Sequence, residues 1–239
     1  MAESYAELAG ACPEEDIEYL RELLSDDMRC RISCTFVRGE YGNLMFTVDP
    51  SPLHWSRQRE WPWTIRNAEL QPHHTVLDIG SGWSVLKYAM ARRCKHVTAL
   101  DIDEPSIRKA NETINKLGFA DKITQIQGDA RRLPFADGSF DCVVSVSTLE
   151  HIIGEHTVCV REAVRVCKNG GIVLMTMDVA AEEPGERNFC IDLRQASEIM
   201  LSLGIQSTMP TNAIGALMDL ETPPVKIVVL MIKYVKPLK

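Results

Sequence analysis

The sequence predicts an α/β fold: a doubly wound, mostly parallel sheet of the seven-stranded type with helices on both faces. An antiparallel C-terminal strand and an N-terminal helix/hairpin cap complete it. Three observations carry this prediction. From His74 onward, short apolar runs alternate with helix-length segments, the rhythm of parallel strands covered on both faces. The first run, Val76-Leu77-Asp78-Ile79, stops abruptly in a glycine turn, Gly80-Ser81-Gly82. Near the C-terminus, Val225 to Val235 is a long apolar run bounded by Pro223-Pro224 and Pro237, suited to a strand that returns along the sheet edge.

Up to about Asp27 the chain reads as one helix: Pro13 and the acids Glu14, Glu15 and Asp16 start it, and Ile17, Leu20, Leu23 and Leu24 recur at helical spacing. Arg29 to Val37 alternates, Arg38 to Asn43 has turn chemistry and Leu44 to Val48 is apolar again, a β-hairpin pattern. After Asp49-Pro50-Ser51-Pro52 comes an aromatic and basic segment: His54, Trp55, Arg57, Arg59, Trp61, Trp63 and Arg66. These tryptophans suit either core packing or an apolar pocket wall. Residues 1–65 are thus expected to form a cap packed on the main domain, residues 66–239. Within that domain the expected order is strand 75–79, helix 84–93 capped by Ser84, strand 97–101 and helix 105–117. Strands 123–127 and 142–146 follow, then helix 155–167, a stop at Lys168-Asn169-Gly170-Gly171, strand 172–177 and a helix around 192–203. Right-handed crossovers place the glycine turn and Asp101 on one carboxyl-end edge of the sheet.

The 239 residues suffice for one sizeable core with an appendage. The net charge of −7 argues against a nucleic-acid backbone as the main partner. No apolar run approaches the roughly 20 residues that span a bilayer, and Met1-Ala2-Glu3-Ser4 has no signal-peptide core. A cytoplasmic protein without a membrane partner is expected. The eight cysteines are scattered and form no CxxC pair, so reduced core thiols are expected rather than disulfides or a metal site.

The glycine turn discriminates among nucleotides. A phosphate-binding loop needs Gly-Lys-Ser/Thr, yet Gly82 is followed by Trp83-Ser84. A dinucleotide turn needs a third glycine where Val85 stands, and Asp78 would repel a pyrophosphate. A phosphate-free, cationic nucleoside derivative such as S-adenosylmethionine fits better.

The ordered set Val76 to Gly82, Leu100-Asp101-Ile102-Asp103, Gly128-Asp129-Ala130, Leu133 to Asp141, Leu149-Glu150-His151-Ile152 and Arg165 to Gly171 resembles the class I (Rossmann-like) S-adenosylmethionine-dependent methyltransferase family over roughly residues 70–180. It departs at Ser84, where many members carry a glycine, and at Asn169, where a proline is common. The resemblance implies S-adenosylmethionine as cofactor and S-adenosylhomocysteine as product. Asp101 would accept the ribose hydroxyls, Ile102 would pack on the adenine, and Asp129 with the Ala130 amide, after Gly128, would meet the adenine edge. Gly80, Ser81 and Gly82 would line the methionine portion, Asp78 would fix the turn or face its ammonium, and Ser145 and Val146 would end the fourth strand under the sulfonium.

In-line displacement at an activated methyl needs chiefly alignment, and a base only for a protonated acceptor. His151, with Glu150 beside it, is the candidate base, and His54 a second. Trp55, Trp61 and Trp63, with His54, are the candidate acceptor wall. The acceptor is expected to be a small molecule; its identity, the acceptor atom and the oligomeric state are not legible. A nicotinamide oxidoreductase on a similar fold, or a non-catalytic relative that binds cofactor or a partner, stand as alternatives.

Overall fold

The computed structural model describes residues 57–82, 84–152, 154–180, 190–205, 213–214 and 227–238. The chain divides into two compact units, Met1–Arg66 and Asn67–Lys239. The expected N-terminal helix and hairpin, with His54 and Trp55, lie outside the described residues. So does most of the polar loop after Asp178. Of the first unit, helix α1 (Arg57–Asn67) is seen up to the boundary, with Trp61 buried and Trp63 half-buried.

The second unit runs β1 (Thr75–Ile79), α2 (Leu86–Ala91), β2 (His96–Asp101), α3 (Glu104–Lys116), β3 (Ile123–Gln127) and β4 (Phe140–Val146). A 3₁₀ turn (Leu149–His151), α4 (His156–Val166), β5 (Cys167–Ala180), α5 (Leu193–Ser202), β6 (Ala213–Ile214) and β7 (Ile227–Val235) follow. The sheet order is β3-β2-β1-β4-β5-β7-β6. Strands β1 to β5 are mutually parallel, and β7 alone reverses direction, since β6 is antiparallel to it in turn. The last member is only two residues long, so the sheet is built by its six longer strands.

Strand alternation divides the sheet residues between two faces. One face carries Leu77, Ile79, Val143, Val173 and Met175, which join Val160 and Ala163 of α4 and Ile199 and Met200 of α5 in the main core. Each such large aliphatic contributes about 1.5–3 kcal/mol when fully buried. The opposite parity places Asp78 beside Ala99 and Val144. The order reverses between β1 and β4, and the crevice at that switch point is where open α/β sheets take ligands.

Several boundaries differ from expectation for identifiable reasons. Val85, not Ser84, is the N-cap of α2; Ser84 Oγ instead accepts from the Leu86 amide at 3.1 Å, and the helix is only six residues. Asp103 caps α3, accepting from the Ser106 amide, and Pro105 occupies its first turn. The expected stop at Lys168–Gly171 is the leading part of β5, because Gly170 donates to the Lys236 carbonyl (2.7 Å) and Lys236 donates back to Gly171 (2.9 Å). Pairing with the C-terminal segment overrides the glycine punctuation. The five described cysteines are free, four of them buried.

Candidate active site

The site grows from the end of β1. Gly80 (φ +68°) donates to the Leu100 carbonyl at 2.8 Å, and Ser81 donates to the same oxygen at 3.1 Å. A Cβ on Gly80 would stand 2.2 Å from Thr148 Cγ2. Thr148 Oγ1 in turn lies 3.2 Å from both the Ile79 and Val146 carbonyl oxygens. The turn after β1 and the segment after β4 therefore interlock, and only a glycine permits it.

Gly82 (φ +42°) donates its amide to Asp101 Oδ2 at 2.7 Å, while Asp103 donates to Oδ1 at 2.9 Å. Two amides thus fix the carboxylate and leave it further lone pairs. Beneath the turn lies a buried polar group that the sequence did not flag. Lys87 Nζ donates to the Gly82 carbonyl (2.9 Å) and to Gln125 Oε1 (3.0 Å), and Gln125 Nε2 donates to Ser81 Oγ (3.0 Å). Asp78 is buried beside them, its Oδ2 without a hydrogen-bond partner. Burial pushes the Asp78 carboxyl up and the Lys87 ammonium down; each charge opposes that drift in the other, and the Asp101 charge adds to the rise of Asp78.

Across the cleft, Gly128 packs on Leu100, where a Cβ would meet Cδ1 at 2.6 Å. Asp129 is gripped by Arg131, whose Nε lies 3.0 Å from both carboxylate oxygens and whose guanidinium also reaches Glu155 (3.0 Å). Arg131 holds the Asp129 carboxyl below its ordinary range.

These groups surround a cleft of about 470 Å³, in the range of small-molecule sites. Of the predicted residues, Gly80, Asp101, Ile102, Gly128, Asp129, Ala130 and His151 line it. Ile102 does so while 63 % exposed, an apolar side chain set at the rim. Asp78 and Ser81 are buried behind the turn, and Gly82 holds Asp101. Ser145 and Val146 are not among the lining residues; Ser147 and Thr148, the next two along, are. Glu150 is buried and likewise does not line the cleft. Trp61 and Trp63 belong to the other unit up to Arg66. Sequence reasoning missed Lys87, Arg131, Ser147, Thr148 and Ile152. The carboxyl-edge rule pointed at the segment after β4, whereas nothing in the sequence announces the left-handed backbone of Ser147 (φ +44°).

Residues 77–175 match the family model "Methyltransferase domain". A sterol 24-C-methyltransferase of Gibberella zeae is 35 % identical over 111 residues, 44 % of this chain and 28 % of that one. A demethylmenaquinone methyltransferase of Desulfitobacterium hafniense is 33 % identical over 119 residues, 48 % of this chain and 46 % of that one. The Bacillus subtilis YcgJ structure superposes with a TM-score of 0.56 at 19 % identity, covering 75 % of this chain and 99 % of that one. The chain spans about half or less of the two curated relatives just described. Residues 77–175 are thus similar to a methyltransferase domain, and the sheet shares the fold of the YcgJ structure. The cleft suits a phosphate-free nucleoside derivative: it has acids at Asp101 and Asp129, an apolar rim at Ile102 and, among the described lining residues, one arginine, Arg131, already engaged by two carboxylates. Among the described residues no helix is long and apolar enough to cross a membrane.

Proposed function

We propose that the protein is a methyltransferase that passes the methyl group of S-adenosylmethionine to a small molecule, acting in the cytoplasm. The observation that carries this is the meeting at one cleft of the Gly80–Thr148 interlock, the amide-fixed Asp101 and the Gly128-Asp129-Ala130 turn. S-adenosylmethionine supplies a methyl group already activated by its sulfonium. The protein's part is binding, orientation and exclusion of water. Asp101 accepts the ribose hydroxyls, Ile102 covers the adenine, and Asp129 with the Ala130 amide reads its edge. His151 stands on the acceptor side as the group that takes a proton if the acceptor carries one. The relatives named for sterol and menaquinone chemistry favour an apolar acceptor.

Titration calorimetry with S-adenosylhomocysteine and with NAD tests the donor. S-adenosylhomocysteine is expected to bind and NAD not; the reverse order would return the site to an oxidoreductase. A labelled-methyl assay with demethylated quinones and with sterols then tests the acceptor class. The fold alone does not settle the reaction, since the cyclase SpnF superposes with a TM-score of 0.56 at 22 % identity, covering 65 % of this chain and 59 % of that one. Cofactor binding with no methyl transfer to any acceptor class would replace the transferase reading. Where transfer occurs, His151→Ala is expected to lower kcat by about 10²-fold or more, as loss of a general base does. An unchanged rate would remove His151 from the chemistry.

A further inference from the structure

We propose that Lys87 is a positioning residue: its buried ammonium fixes the Gly82 peptide, and through it the Asp101 carboxylate, in the orientation that receives the cofactor's ribose. This rests on the S-adenosylmethionine reading of the cleft.

Lys87 is 0 % exposed, the only fully buried lysine or arginine among the described side chains, which exclude Arg57 and Arg59. An ammonium is kept out of water only where it is paired and hydrogen-bonded, so its placement needs a reason. Its partners supply one, because both belong to the glycine turn or its support. One bond goes directly to the Gly82 carbonyl, and the other goes to Gln125, which holds Ser81. Gly82 has left-handed φ and no Cβ, the residue type freest to change its backbone conformation. Its peptide units are therefore pinned from both sides, the carbonyl by Lys87 and the amide by Asp101. The charged groups facing the ammonium are Asp78 at the end of β1 and Asp101 at the end of β2. The second of these is the carboxylate being oriented. Without the ammonium, the Gly82 carbonyl and Gln125 Oε1 lose their donor, and two neighbouring carboxylates lose the cation between them.

The test uses the full chain, wild type and Lys87→Met, with two probes: S-adenosylhomocysteine, and 5′-methylthioadenosine, which keeps the ribose but lacks an amino-acid group that titrates. Lys87→Met is expected to weaken 5′-methylthioadenosine by about tenfold, the scale of one hydrogen bond to a charged group. Because the neighbouring Asp78 carboxyl also titrates near neutrality, the pH comparison is made with Asp78→Asn in both chains: affinity should fall as pH rises above neutrality and Lys87 gives up its proton, and should be flat where Lys87→Met is added. A purely structural lysine would lower the melting temperature and leave both readouts in place, and that result overturns the proposal. Should Lys87→Met fail to fold, ¹³C-lysine NMR of the wild type decides. Preferential binding to the protonated form must raise the Lys87 pKa when 5′-methylthioadenosine binds, and an unmoved titration overturns the proposal. If the wild type binds neither probe, the cofactor reading itself fails, an outcome distinct from equal binding by wild type and variant.

Discussion

The two edges of the sheet are built to opposite rules. At the amino-end edge the charges of Asp141, Arg165 and Lys236 are spent on structure. Asp141 accepts from the Thr75 amide (2.8 Å), from Thr75 Oγ1 (2.9 Å) and from Lys168 (2.7 Å), tying together the starts of β1, β4 and β5. Arg165 donates to the Leu133 and Phe135 carbonyls and to Glu162 and Asp137, fastening the end of α4 to the loop before β4. Lys236 donates to three carbonyls at the α4–β5 junction. At the carboxyl-end edge the polar groups are held but not exhausted. Asp101 is fixed by two amides with lone pairs to spare, Asp78 Oδ2 and Ser145 Oγ are buried without partners, and Ser147 sits in a left-handed conformation. Strain and spare hydrogen-bonding capacity of this kind cost stability, and they gather where a ligand repays them.

The largest expected break in this asymmetry is Gly80→Ala. The new methyl overlaps Thr148 and the residue must hold φ +68°, which together cost about 3 kcal/mol. The expected result is a lower melting temperature and no measurable S-adenosylhomocysteine binding in calorimetry. Full binding would show that the turn and Thr148 move apart without harm. Next in size is Asp101→Ala. Its bonds within the protein are to exposed or half-exposed loop amides, so the fold should survive. S-adenosylhomocysteine affinity should fall at least tenfold, one charged hydrogen bond's worth of about 1.5–3 kcal/mol. Unchanged affinity would place the ribose elsewhere.

The same contrast explains what was legible in the sequence. Strand alternation, the glycine turn and the acid closing β2 are local patterns, so the succession of β1 to β5 along the chain and the lining positions Gly80 and Asp101 could be read directly, whereas Ile102 and Gly128 to Ala130 came from the family resemblance. The long motifs Leu133 to Asp141 and Arg165 to Gly171 also carried the resemblance to the methyltransferase family. Yet they meet each other at the amino-end edge, through Arg165 and through the Lys168–Asp141 pair, and contribute nothing to the cleft. Lys87 escaped notice because a lysine in a short helix reads as a solvent-facing residue. Only the close approach of β3, through Gln125, makes it a buried partner of the turn. Thr148 was missed because its importance lies in the space that Gly80 leaves, a pairing across 68 residues with no local signature.

The smallest expected effect is the one that separates the edges most cleanly. Asp141 is 19 % exposed, far from the cleft-lining residues. Burial alone would raise its pKa; the bonds from Lys168 and Thr75 outweigh that and hold it at about 2. A carboxyl depressed in the folded state stabilises fully above its unfolded pKa of about 3.9. That contribution drains away as pH falls from about 5 toward about 2. Asp141→Asn retains an acceptor but not the charge, so it should cost about 1–2 kcal/mol near neutral pH. The gap between wild type and variant should close on acidification. In urea denaturation followed at several pH values, the two curves should converge below about pH 4, with S-adenosylhomocysteine affinity at pH 7 the same in both. A variant that lost cofactor affinity while keeping its stability would mean that the amino-end edge communicates with the cleft, and the division of labour between the two ends of the sheet would have to be abandoned.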